Sequence, residues 1–186
     1  MCSVWACRKG SAGAIKLRAS GQFIVYAPGD DASVNSGVQM TYPRFVDNNN
    51  GTVTDSTTGL IWLKKADSIE QTWADAITSI KSLASGQNGL TDGSVAGAWR
   101  MPNRAEMLSL SDRALDNHSS FFDYEFINED KTIGQEPIFT NCLSSQYYWT
   151  STTDATDITK AWTVFSCDFG VYDIQKTEIG YSMAVR

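Results

Sequence analysis

Three observations predict an α+β fold. Turn-rich strand signals fill residues 45–63, two helix-start signals follow near 68 and 103, and the chain returns to short, closely connected strands from 147 onward. Strands and helices are thus segregated along the chain rather than alternating, which separates α+β from α/β. A chain of 186 residues with 42% hydrophobic content is long enough for one large core.

Residues 19–46 read as an irregular lead-in. Gln22-Phe23-Ile24-Val25-Tyr26 is rich in strand formers and Pro28-Gly29-Asp30-Asp31 ends it as a turn, with a further short strand expected at Val38–Met40. Phe45-Val46 then leads through Asp47-Asn48-Asn49-Asn50-Gly51 into Thr52-Val53-Thr54, where Asn50-Gly51 suits the positive φ of a tight hairpin. A second turn at Asp55–Gly59 precedes Leu60-Ile61-Trp62-Leu63, which is short and continuously apolar and so reads as a buried strand.

The clearest helix is expected over 68–85. Ile69, Trp73, Ala76, Ile77, Ile80, Leu83 and Ala84 recur at three- and four-residue intervals, Ser68 and Gln71 have capping-box spacing, and Gly86 is a stop. Four glycines make 86–98 a loop. Asn103 after Pro102, with Glu106 three residues on, caps a second helix whose apolar face is Met107, Leu108 and Leu110. Residues 112–141 form a long connection with Phe121, Phe122, Tyr124, Phe126 and Ile127 as core contacts. Strands follow at 147–152, 161–165, 170–174 and 181–185, and their short connections predict antiparallel pairing.

Composition excludes several classes. With 15 Lys+Arg against 21 Asp+Glu the formal net charge is -6, which disfavours nucleic-acid phosphates. No apolar stretch reaches the ~18 residues of a spanning helix. One His and four scattered Cys supply no standard closed zinc site without carboxylates. Residues 1–18 lack the ordered basic, apolar and small-residue regions of a secretory signal. Cys142 and Cys167 are expected to be free buried thiols, with a disulfide as the alternative.

The motifs resemble, in order, those of the bacterial Lcl C-terminal domain family, named for a Legionella collagen-like adhesin. Phe45 with Gly51-Thr52-Val53-Thr54-Asp55 and Thr58-Gly59-Leu60-Ile61-Trp62 comes first. Thr72-Trp73-Ala74-Asp75-Ala76, Trp99-Arg100-Met101-Pro102-Asn103 with Glu106, Tyr148-Trp149-Thr150-Ser151-Thr152 and Ala161-Trp162-Thr163-Val164 follow, and Tyr181 with Ala184-Val185-Arg186 closes the series. The resemblance covers 21–186 as a single domain and does not cover the N-terminal segment 1–20, for which disorder is one expectation. The Trp99–Glu106 motif is also similar to a helix start in formylglycine-generating enzymes. Both resemblances imply a C-type-lectin-like fold, with two helices on a twisted antiparallel sheet whose N- and C-terminal strands meet. They make Trp99, Arg100, Pro102, Glu106 and Arg186 structural, Glu106 pairing with Arg100 or Arg186. Trp62, Trp73, Trp99, Trp149 and Trp162, which fall within these motifs, are expected in the core.

The chemistry of the relatives does not carry over. Formylglycine generation uses a close C-terminal cysteine pair as copper ligands, and here Cys142 and Cys167 are far apart. The calcium motifs of sugar-binding C-type lectins are missing too, since Glu136-Pro137 is followed by Ile138. Asp47, Asn49 and Asp55 offer hard oxygen ligands for a calcium ion, although a hairpin needs the same residue types for backbone reasons. No other cofactor is expected. His118 lies in a polar stretch without an identifiable nucleophile and reads as a solvated loop residue.

The expected function is a non-enzymatic ligand-binding or adhesion module. Its surface would be loops 86–98, 112–146 and 153–160, with Asn88, Asp92, Tyr147, Asp154 and Asp157 as contacts to a glycan or protein ligand. A cell-envelope assembly domain with protein partners is the alternative, and a hydrolase with a hidden carboxylate pair a weaker one. The resemblance implies an extracellular or envelope location, with the cytoplasm as the alternative because no leader is visible. A homo-oligomer is compatible with these readings.

Overall fold

A computed structural model describes residues 19–20, 22, 25–34, 37–38, 43–111, 125–127, 133–135 and 138–186. The α+β expectation holds. In chain order the elements are α1 (Asp31–Val34), β1 (Phe45–Asp47), β2 (Thr52–Asp55), β3 (Ile61–Leu63), β4 (Asp67–Gln71), α2 (Trp73–Ser82), α3 (Arg104–Ser109), β5 (Glu125–Ile127), β6 (Ile133–Gln135), β7 (Tyr147–Thr153), β8 (Lys160–Phe165), β9 (Val171–Gln175) and β10 (Gly180–Ser182). Among the described residues they form an antiparallel sheet β1-β2-β3, a five-stranded sheet β4-β10-β7-β8-β9 and the hairpin β5-β6.

β7 organises the interior. Neighbouring side chains on a strand point to opposite faces, and Tyr148 and Trp149 enter different cores. Tyr148 packs in a cluster with Phe45, Trp62, Val164 and Met107 of α3. Trp149 packs with Ala161, Trp99 and with Ala76 and Ile80 of α2. The two helices therefore cover opposite faces of the large sheet. The chain's last residues run antiparallel to β3: Ile61 and Arg186 exchange backbone hydrogen bonds, and the Leu63 N–H donates to the Ala184 carbonyl.

Four expectations are corrected. The first concerns the start of α2. Residues 67–71 are a strand paired to β10, with Gln71 opposite Gly180 and Asp67 opposite Ser182. Sheet pairing outweighs the helical period of this stretch, helped by the Trp149 indole N–H, which donates to the Gln71 carbonyl at 3.0 Å. The N-cap is Thr72, whose side chain accepts from the Asp75 N–H, so the Ser68/Gln71 box is not used. The buried face of α2 is Ala76 and Ile80, continued by Leu83. The second correction is β10, which pairs parallel with β7 and antiparallel with β4 rather than with its sequence neighbour β9.

The third correction concerns tryptophan. Trp62, Trp99 and Trp149 are fully buried as expected. Trp73 and Trp162 are only half-buried. Each carries a cation over its ring, Lys176 at 4.2 Å and Arg104 at 4.7 Å, an attraction between charge and ring quadrupole. Fourth, the long connection contains the β5-β6 hairpin; Phe121, Phe122, Tyr124 and His118 lie outside the described residues, as do residues 1–18, Phe23, Ile24 and Met40.

The remaining local expectations hold only in part. Val25 and Tyr26 are exposed and not in a strand, but the 28–31 turn forms. The Asp30 carboxylate there accepts from the N–H groups of Tyr26, Ala27 and Ser33. These contacts, that of Tyr26 foremost, draw its pKa down to about 2. The β1-β2 turn takes its positive φ at Asn49 (56°) and Gly51 (84°), not at Asn50. Its tip leans on the 86–91 loop, where the Thr91 N–H donates to the Asn50 carbonyl at 2.9 Å. α3 has its full capping box, with Asn103 accepting from the Glu106 N–H and Glu106 from the Asn103 N–H.

Candidate ligand-binding surface

The framework motif builds a tie between helix and sheet. Arg100 exchanges backbone hydrogen bonds with Val185, and its guanidinium grips both oxygens of Glu106 at 2.7 and 2.6 Å. Hydrogen bonding from Arg100 holds the Glu106 carboxyl below its ordinary range. Pro102 is buried, and its carbonyl accepts from the Ser151 N–H on β7 at 2.8 Å. Arg186 does not reach Glu106. It lies 3.1 Å from Asp92 and over the Trp99 ring at 5.0 Å.

That contact reassigns one expected ligand residue. The Asp92 side chain is fully covered. One of its oxygens accepts from the Ser94 N–H and hydroxyl, at 3.1 and 2.8 Å, while the Ser94 hydroxyl in turn accepts from the Trp99 indole. Burial opposes ionisation of Asp92, yet the Ser94 bonds and the Arg186 charge together hold its carboxyl below the usual range. Asp92 is thus spent on pinning the 86–98 loop to the C-terminal residues. Asn88 is exposed with φ 48°, so it serves as a turn residue beside a 40 Å³ cavity between α2 and β10.

Asp154 and Asp157 are also turn formers. Asp154 is buried and accepts from the Thr156 N–H and hydroxyl; Asp157 does the same for Thr159. Nor are the calcium candidates brought together. Asp47 binds Lys64 at 2.5 Å and the Asn49 N–H. Asp55, two rungs along the same hairpin, is fully buried and forks onto Arg44 at 3.0 and 2.7 Å. Each carboxylate is neutralised by its own cation, which removes the shared negative field a calcium site requires. Among the described residues, no three His, Cys, Asp or Glu side chains are grouped to hold a metal ion.

Of the expected ligand residues, Tyr147 stays exposed on the sheet, as Asn88 does on its loop. Tyr147 is 39% exposed and stands opposite Phe165 on β8, ring centroids 5.0 Å apart. Tyr172 on β9, 43% exposed, sets its ring nearly perpendicular to both, at 5.7 Å from Tyr147 and 6.5 Å from Phe165. Strand register explains the grouping. Trp149, Ala161 and Ile174 lie on the same face, which α2 covers. The aromatic trio is the end of that face which α2 does not reach. Gly170 completes the arrangement, because a Cβ there would stand 2.7 Å from the Tyr172 ring. Phe165 and Tyr172 escape sequence reading because period-2 alternation gives a face only after the register across two turns is known.

Cys142 and Cys167 are free and half-buried. Burial pushes the Cys142 thiol up to about 12, which keeps it protonated and inert. No helix among the described residues is long and apolar enough to cross a membrane. Residues 51–186 match the Lcl C-terminal domain family. No curated protein matches the chain.

Proposed function

This chain belongs to the Lcl C-terminal domain family, and we propose that it is a non-enzymatic ligand-binding module of the adhesion type, with the C-type-lectin-like arrangement its motifs resemble. The observation that carries the proposal is an aromatic trio, exposed Tyr147 and Tyr172 packed on half-buried Phe165, on a sheet held from both faces. Rigid aromatic side chains give large contact area with little entropy left to lose on binding. The engagement of the carboxylates speaks against hydrolysis: Asp47, Asp55, Asp92, Glu106 and Asp173 each face a cation. Asp154 and Asp157 are held in turns. A glycosidase needs two acids converging on one bond.

As an adhesin-type domain it would act outside the cell or in the envelope. The test is a glycan and protein-partner array run on the monomer and on any oligomeric fraction. A ligand retained by the wild type and lost by the Tyr147→Ala/Tyr172→Ala double variant supports the proposal. Turnover of model glycosides would refute it.

A further inference from the structure

Resting on the binding-module reading, we propose that the Tyr147–Phe165–Tyr172 trio is a stacking platform for an uncharged pyranose face. The geometry excludes the main competitors one at a time. Aromatic rings also bind quaternary ammonium ions, but a cage must hold its rings apart to admit the cation between them. Here the centroids are 5.0 to 6.5 Å from one another, so the rings touch and leave no such gap. Stacked bases would bring phosphates to a protein of net charge -6, with the exposed Asp168 turn beside the platform and its carboxylate accepting from the Gly170 N–H. Sulfated or uronic sugars meet the same repulsion.

Size favours a small ligand over a protein partner resting on these rings alone. At 39% and 43% exposure the two tyrosines show together on the order of 200 Å², against ~800 Å² per side in a stable interface. One or two sugar rings fit that area. The axial C–H bonds of a pyranose carry partial positive charge and meet the negative ring face. Its hydroxyls find the two phenol groups at the rim. The platform is also set in advance: Tyr147 leans on Phe165, and Tyr172 occupies the space that Gly170 leaves empty.

The experiment uses the full chain, calorimetry, and hexasaccharides of β-1,4-linked glucose, β-1,4-linked N-acetylglucosamine and α-1,6-linked mannose, with a heparin hexasaccharide as the polyanionic arm. At least one uncharged hexasaccharide should bind. Tyr147→Ala and Tyr172→Ala should each weaken it about tenfold or more, while Tyr147→Phe, which keeps the ring, should stay within about threefold. Gly170→Ala should weaken binding with every aromatic residue still present. Melting curves confirm that the variants fold. Binding of no uncharged hexasaccharide, or affinity indifferent to Tyr147→Ala, overturns the proposal. If heparin or an array protein binds through Tyr147 instead, the uncharged-sugar inference falls and the binding-module reading stands. If no ligand of any class binds, both fall.

Discussion

Gly51→Ala tests whether the β1-β2 hairpin is docked on the 86–91 loop or merely lies near it. Gly51 has φ 84°, where an L side chain costs ~1–2 kcal/mol. A Cβ there would also stand 2.7 Å from the Gly89 carbonyl carbon and 2.9 Å from the Leu90 Cα, and closer still to the Gly89 oxygen. All three neighbours are backbone, so no side chain can swing away. Overpacking of this kind adds ~1–3 kcal/mol. Lower chain entropy in the unfolded state returns ~0.4–1 kcal/mol. Gly59→Ala is the control: φ is 75° but nothing lies within 4 Å of the added carbon, so only the backbone and entropy effects act. Gly51→Ala should therefore be less stable than Gly59→Ala by ~1–3 kcal/mol. With a urea m-value near ~2 kcal/mol/M, the midpoints should differ by roughly 0.5–1.5 M, read by tryptophan fluorescence. Equal midpoints would refute the docking argument, because the two sites differ in what the new carbon meets.

Asp55→Asn should cost ~3–5 kcal/mol, since it leaves the Arg44 guanidinium buried without its counter-charge; chemical denaturation measures it. Burial alone would raise the Asp55 pKa, but the hydrogen bonds and charge of Arg44 outweigh it and the folded value is lowered. Its stability contribution is thus fully present above the unfolded value near ~4 and is lost as pH falls through the folded value. Wild-type Tm should be flat above about pH 5 and drop below about pH 4, more steeply than in Asp55→Asn. Asp92→Ala should release the 86–98 loop from Arg186 and Ser94, costing ~1–3 kcal/mol. Hydrogen exchange should speed up in 86–98 and leave β8 protected. Cys142, with its thiol raised to about 12, should resist iodoacetamide at pH 8 in the folded protein and react on unfolding, as peptide mass mapping will show.

Much of the scaffold is legible in the chain because its signals are local. The Asn103/Glu106 box caps α3 through atoms three residues apart, and the Asp55–Gly59 turn closes through its own backbone. The candidate site is legible only in Tyr147. Asp92, Asp154 and Asp157 look like free acids in sequence, yet each serves a turn or a buried ion pair.

What the residues determine by themselves is the α+β class, the framework motifs and the caps, because periodicity and turn chemistry act over a few residues. What only the tertiary structure decides is long-range pairing. Strand β4 forms where a helix was expected because β10, more than a hundred residues away, supplies the partner. Arg186 finds Asp92 rather than Glu106 because β3 and Trp99 set its path. Tyr147, Phe165 and Tyr172 become one surface because α2 covers only part of their sheet face.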